Sequence, residues 1–304
     1  MRKATLISIL AWAFTFGAQA VYAVDTQNQS WIIFEQGNAA FSAKEFGRAL
    51  QLFKNAITSA GIFPEAELAL GDVYLEEGET DLAIRQYNKA YDMRKSFYIP
   101  DAQYEALYKL AKVYKLQQQY GQMVQTLRAV ISDDKHFNET PTFQLKSQIV
   151  GNYKEKGLDH VLMLYVFDDQ FAASAHSTLG WYYYRTGQQA DAIKELLFSL
   201  ISRTTEVVSF LHGQDVDFEF SNLSDLLAAA LKSKDAAAFI KEVDFFKDLY
   251  YLGCATYSSG LPQSAAVLWK MVAGTPAAGN YQDLAKRQLK KPWTEPVLMP
   301  EPPQ

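Results

Sequence analysis

The 304-residue sequence is 49% hydrophobic and 21% charged, enough for a substantial core and too apolar for disorder along its length. Its 29 Lys and Arg against 34 Asp and Glu give a net charge of -5, so no overall basic field favours nucleic acid. A single cysteine, Cys254, excludes an intramolecular disulfide framework, a cysteine-rich zinc site and a CxxC redox pair.

Arg2 and Lys3 precede an apolar run from Ala4 to Phe16, and small residues follow in Ala18-Gln19-Ala20 and Val21-Tyr22-Ala23. This pattern predicts a secretory signal sequence over 1–23, cleaved after Ala20 or Ala23, because the run is shorter than the roughly 20 residues of a spanning helix. No cysteine lies near the cleavage site, so lipid attachment through a thioether there is chemically impossible. Loss of Arg2 and Lys3, with no acid lost, takes the net charge from -5 to -7. The expected product is an acidic, exported, periplasmic or secreted chain with no membrane span.

From residue 24 onward apolar residues recur at spacings of three and four, predicting a nearly all-α chain. Gly37 and Gly71 lie 34 apart, and Ala49 with Ala83, Phe53 with Tyr87 and Ala56 with Ala90 keep the same separation. A shared period of this size implies stacked helix pairs. The first two pairs are read as Trp31 to Ala43 with Glu45 to Ser59, and Glu65 to Glu76 with Asp81 to Met93. Spacings of four and three put Ala83, Tyr87 and Ala90 on one helix face, where two small residues and a ring allow close approach.

The pattern resembles tetratricopeptide repeats, whose length is 34 residues and whose landmarks include Leu-Gly, Tyr, Ala and Phe. Matching positions recur at Leu110-Ala111, Tyr114, Met123, Leu127 and Val130, at Leu179-Gly180, Tyr183, Ala192, Leu196 and Ser199, and at Leu252-Gly253, Ala265, Trp269 and Val272. A connecting glycine follows the anchor glycine by seven residues at Gly78, Gly187 and Gly260. A weaker copy lies at Ile149-Val150, Tyr153, Gly157, Leu162 and Val166. The resemblance implies an all-α, right-handed superhelical solenoid of tetratricopeptide-like helix pairs. It divides the chain into a leader at 1–23, a three-repeat block at 24–134, a block of regular and degenerate pairs at 135–291, and a Pro-rich tail at 292–304.

Two departures stand out. Gly71 and Ala111 are 40 apart, so Ser96 to Asp101 carries an inserted loop or a longer helix. Gly180 and Gly253 are 73 apart, room for another pair, expected near Asn222 to Lys232 and Asp235 to Lys247 with Asp235 as the N-cap. Residues 141–170 and 213–246 are either degenerate repeats or ordinary helices joining two repeat blocks.

No Gly-rich phosphate loop, HExxH or GxSxG occurs, so no catalytic residue, cofactor or metal is assigned and a non-enzyme is expected. His136, His160, His176 and His212 have no helical-spacing partners among themselves, and His176 is read as a hydrogen-bonded structural residue. Asp133-Asp134 and Asp168-Asp169 are read as loop or helix-end charges, and Cys254 as an unreactive small side chain.

Helical geometry sets residues at -6, -3, +1, +4 and +5 from each anchor opposite the packing face, and the resemblance implies that this first-helix face lines a ligand groove. Phe34, Asn38, Phe41, Asp72, Tyr108, Lys112, Trp181, Tyr184, Arg185, Tyr250 and Tyr257 are its candidate contacts. Aromatic and mixed-charge side chains suit an extended peptide or partner helix. The family's clamp for a C-terminal carboxylate is not matched: Asn38 fits, but Phe34 and Ala69 stand where Lys and Asn are expected. The function implied is an exported, non-enzymatic scaffold binding protein partners in the cell envelope or periplasm. The alternative is a periplasmic accessory subunit binding a small-molecule solute or peptide for a transport system, with a pocket shaped by 135–170 and 204–246.

Five of the ten prolines, Pro292, Pro296, Pro300, Pro302 and Pro303, fall in the last 13 residues, and a linker-like extended segment rather than a docking peptide is expected there. The other prolines, Pro64, Pro100, Pro141, Pro262 and Pro276, fall at helix starts or between helices.

Overall fold

The computed structural model describes residues 29–134, 137, 142–168, 171–295 and 298, and the leader expected over 1–23 lies outside them. All regular structure among the described residues is helical. Two compact units divide between Gln118 and Gln119.

The first unit holds α1 (29–42), α2 (Phe46–Ala60), α3 (Pro64–Glu76), α4 (Thr80–Asp92) and α5 (Ala102–Leu116). The expected helix pairs are present to within a residue or two at each end. Pro64 occupies the first turn of α3, where its missing N–H costs nothing. Ala49, Phe53 and Ala56 are the buried face of α2, and Ala83, Tyr87 and Ala90 that of α4. The six-residue excess before α5 is absorbed by a 3-10 turn, Arg94–Ser96, and a short loop in which the Tyr98 N–H donates to Glu65 Oε1 at 2.6 Å.

The second unit holds α6 (Tyr120–Ile131), α7 (Thr142–Lys156), α8 (Leu158–Leu164), α9 (Ala173–Arg185), α10 (Gln189–His212), α11 (Leu223–Ala230), α12 (Lys234–Glu242), α13 (Phe245–Ser258), α14 (Pro262–Gly274) and α15 (Asn280–Lys290). Two regular pairs, α9 with α10 and α13 with α14, pack on one another through α10 and α13. The weak copy at 149–166 is truncated: α8 stops at Leu164, so Val166 lies beyond the helix and is exposed instead of filling the ring position. Helix α10 runs 24 residues, well past the landmark Ser199, because no Gly or Pro interrupts it before Gly213.

Two expectations in the 213–247 stretch need correction. Ser233, not Asp235, caps α12, its hydroxyl accepting the Ala236 N–H, and Asp235 sits in the first turn. The helix expected to reach Lys247 ends at Glu242, because Asp244 takes a left-handed conformation (φ 54°) and a new helix starts at Phe245. Asn222 caps α11 by accepting the Asp225 N–H at 2.9 Å.

The connection inside each pair has one backbone solution. Gly78, Gly187 and Gly260, the three glycines singled out by spacing, have φ of 82°, 78° and 82°. The Gly78 N–H donates to Leu75 O and the Glu79 N–H reaches back to Tyr74 O, a left-handed C-terminal cap that satisfies the last carbonyls. Gly187 and Gln188, and Gly260 and Leu261, repeat it. Lys44 and Gln118 occupy the same place, seven residues after Gly37 and Ala111, with φ of 61° and 60°. In the weak copy Gly157, seven after Val150, also has a positive φ, 86°, but its ψ is 178° and its N–H donates to Tyr153 O, so the same cap is not repeated there.

Candidate partner-binding face

In the first unit the anchor glycines fix the first helices against the second. A Cβ on Gly37 would lie 2.5 Å from Phe53 Cε1, and one on Gly71 2.4 Å from Tyr87 Cε1, so only hydrogen fits. Phe34 and Trp31 form an aromatic cluster with Phe63 and Tyr98, the contacting ring centroids 4.8–5.9 Å apart. Phe41 likewise packs on Phe46 at 5.7 Å. These aromatic candidates are therefore partly used in packing. Asp72 is also engaged: it accepts from Tyr87 Oη and from Lys109 Nζ, each at 2.8 Å. Burial alone would lower the Lys109 pKa, but the Asp72 and Glu105 carboxylates outweigh it and raise the value. Burial beside Asp72 raises that of Tyr87. Asn38 and Tyr108 are half-buried, and Lys112 is exposed.

In the second unit Gly180 and Gly253 repeat the steric rule, with a Cβ 2.5 Å from Leu196 Cγ and 2.6 Å from Trp269 Nε1 respectively. The unit's core is strongly polar in two places. His176, fully buried, pairs through Nδ1 with Glu195 at 2.6 Å and through Nε2 with Asp134 at 3.2 Å. The structural role expected of His176 is thus observed, whereas Asp134 is not a loop charge: it is buried as this histidine's partner. Asp248, also fully buried, accepts from Ser177 Oγ and Ser199 Oγ at 2.6 Å each and pairs with Arg203. Ser199 is thus a hydrogen-bond donor where the other copies carry an apolar packing residue.

The candidates of this unit lie towards the C-terminal end of α9 and along α13, where Tyr257 packs on Trp269 of α14 at 5.7 Å. Trp181, Arg185 and Tyr257 are half-buried, while Tyr184 and Tyr250 are buried and cannot be open contacts. Tyr250 is covered because Gln288 of α15 and the Tyr281 ring pack on it. Tyr184 is covered by the Pro-rich segment. The Glu295 N–H donates to Tyr184 Oη at 3.0 Å, Glu295 pairs with Arg185 at 3.2 Å, and the Leu298 N–H donates to Arg185 O at 2.6 Å. Residues 293–295 thus dock on the unit, correcting the linker-like reading, because their main-chain donors find partners on α9 and α15. The Trp293 N–H donates to Gln288 Oε1 at 2.9 Å and Gln288 Nε2 donates to Trp293 O at 3.1 Å. Burial pushes up the Tyr184 hydroxyl and also Glu295, for which Arg185 only partly compensates.

Tyr251, Tyr281 and Gln288 belong to this face but were missed, since Tyr251 falls outside the helical offsets used and α15 is not a repeat helix. Tyr251 bridges Tyr184 at 5.7 Å and Tyr281 at 6.2 Å. Beyond it an apolar cleft of about 1010 Å³ opens between α12 and α15, lined by Ile240, Phe246, Tyr251, Ala278, Tyr281 and Leu284 among others. Cys254 is buried and its thiol is pushed up to about 12 by burial, so it is a poor nucleophile. Among the described residues no cluster of metal-ligating side chains occurs, and no helix is long and apolar enough to cross a membrane.

Tetratricopeptide repeat models match residues 66–97 and 105–135, over the second and third helix pairs. The chain carries tetratricopeptide repeats. Tetratricopeptide repeats stack to present extended surfaces for protein partners. The protein is similar to two spirochaete proteins, each described as uncharacterized. One, from Treponema pallidum (strain Nichols), is 24% identical over 250 residues, covering 79% of this chain and 67% of the relative. The other, from Borreliella burgdorferi (strain ATCC 35210), is 23% identical over 291 residues, covering 86% of this chain and 89% of the relative. The repeat likeness thus sits within a similarity that extends through both compact units.

Proposed function

We propose that the protein is an exported, non-enzymatic tetratricopeptide scaffold that binds an extended peptide segment of an envelope or periplasmic protein across the ends of α9 and α13. One observation carries the reading: this face already holds main chain of residues 293–295 and 298 by hydrogen bonds to Gln288, Tyr184 and Arg185. Main-chain recognition tolerates many side chains, and the Arg185 guanidinium adds a preference for an acid. Export rests on the basic, apolar and small-residue order of residues 2–23.

A second reading is favoured by the cleft between α12 and α15, whose size suits a small molecule and which lies in part on the 204–246 stretch. In that case the protein is a solute- or peptide-binding accessory subunit of a transport system. Affinity capture with the purified mature chain from an envelope fraction, beside thermal-shift screening of small molecules, separates the two. The scaffold reading predicts a specific protein partner whose capture is lost in Arg185→Glu. Recovery of no partner together with ligand-dependent stabilisation gives the second reading. Fractionation of cells tests export directly: the mature chain in the cytoplasmic fraction, with residues 1–23 retained, contradicts it.

A further inference from the structure

We infer that the cleft between α12 and α15 binds a short apolar peptide with both ends free, its ammonium held by Asp244 and Tyr281 and its carboxylate by Lys241. The inference rests on the second reading above, to which it adds the ligand's chemistry. It leaves α9 and α13 to a protein partner.

Size and wall come first. At about 1010 Å³ the cleft stands at the top of the roughly 300–1,000 Å³ range of small-molecule sites, room for several amino-acid residues rather than one. Much of its wall is apolar: Ile240, Phe246 and Ala278 are buried, while Leu231, Tyr251 and Leu284 are half-buried. Apolar side chains of a peptide leave water for this wall, which supplies the favourable free energy of binding.

Charge comes second. Among the described residues that line the cleft only Lys241 and Asp244 are charged; they are opposite in sign and flank the end of α12. No ion pair joins the two, and Lys241 has no ion-pair or hydrogen-bond partner among the described residues. A wall that carries one cation and one anion without pairing them complements a ligand with one of each, as a peptide with free ends has.

The setting of Asp244 comes third. It is the N-cap of α13, where an Asp ordinarily accepts a helix N–H, yet its side chain makes no capping bond. Its backbone is left-handed, φ 54°, a strained conformation for a residue with a Cβ. The carboxyl is hydrogen-bonded instead to Tyr281, which lines the cleft from α15. Burial, then the Asp244 charge, raises the Tyr281 pKa, so its hydroxyl stays a donor to the carboxylate and keeps its lone pairs. Carboxylate and phenol oxygens together give an ammonium more than one acceptor. Loss of water raises the Asp244 pKa, with the Lys247 charge opposed to it, and an arriving ammonium favours the ionised form further.

The test is calorimetric titration of the full-length mature chain with trileucine, N-acetyl-trileucine and trileucine amide. Free trileucine is expected to bind at least tenfold more tightly than either blocked form. Asp244→Asn, which keeps a residue suited to the left-handed region, should erase the preference over the acetylated form and retain that over the amide. Lys241→Gln should do the reverse. Equal affinities for free and blocked peptides, or preferences that survive both substitutions, overturn the inference and leave a small-molecule site in the cleft standing. If a variant does not fold by circular dichroism, the blocked peptides on the unaltered chain decide. Elution as a dimer that Asp244→Asn dissociates gives the cleft to a second copy and also overturns the inference. A thermal-shift screen in which neither trileucine nor any small molecule stabilises the chain removes both this inference and the second reading.

Discussion

Gly71 and Tyr87 are held so close that a Cβ on the glycine would lie 2.4 Å from the ring, while the Tyr87 hydroxyl bonds Asp72, the glycine's neighbour. The ring is thus fixed at its edge and its tip by consecutive residues of α3, and it has nowhere to retreat. Gly71→Ala is expected to destabilise the protein by about 1–3 kcal/mol through overpacking. Gly151, mid-helix in α7 with nothing within 4 Å of a built Cβ, provides the control: Gly151→Ala should stabilise by about 0.5–1 kcal/mol through helix propensity. Urea denaturation of the two variants checks both signs.

The left-handed connections give a second pair of opposed effects. Lys44 and Gln118 adopt a conformation that glycine takes at the matching positions 78, 187 and 260. Lys44→Gly and Gln118→Gly should each stabilise by about 0.5–1 kcal/mol, the relief of strain exceeding the added entropy of the unfolded chain. Gly187→Ala should cost about 1 kcal/mol. Thermal melts showing the Gly variants below the parent would contradict the strain argument.

His176 sets a pH dependence. Burial alone would lower its pKa, but the hydrogen bonds to Asp134 and Glu195 and the charges of both carboxylates outweigh that, raising it above 6.5. Lys194, 3.6 Å from Glu195, and Lys146 are the facing cations. A raised folded-state pKa means that the histidine's contribution is complete below about 6.5, its unfolded value, and is lost as pH rises through the folded value. Melting temperature should therefore fall as pH rises through that window, and the slope should flatten in His176→Gln. A variant with the parent's slope assigns the dependence elsewhere.

Asp248 is the sole acid paired with the buried Arg203 among the ion pairs of the described residues. Asp248→Asn leaves Arg203 buried without an anion and should cost about 3–5 kcal/mol. Asp248→Glu lengthens the side chain in a packed site and should not recover the parent stability. Chemical denaturation reads both.

The repeat was legible because its determinants are local and steric: a small residue, a ring or branched side chain sixteen residues on, and a glycine after seven. Where the same backbone is built from Lys44 or Gln118, no side-chain signature marks it. The polar core was not legible for a different reason. Asp134, His176 and Glu195 are 42 and 19 residues apart, and only tertiary packing brings them together. The early end of the helix before Val243 turns on Asp244, an ordinary acid in sequence. The docking of 293–295 was hidden because its bonds are to main chain, which every residue possesses, while the prolines pointed to an extended segment without saying what it lies on.

The central claim is that the first-helix ends of the second unit are where a protein partner binds. Photo-cross-linking residues placed singly at Trp181, Tyr257 and, on the second helix of the last pair, the exposed Val267, in cells producing the full-length chain, test it most directly. The account predicts one shared cross-linked partner from Trp181 and Tyr257 and none from Val267. Cross-links to a protein from Val267, with none from the other two, would contradict it.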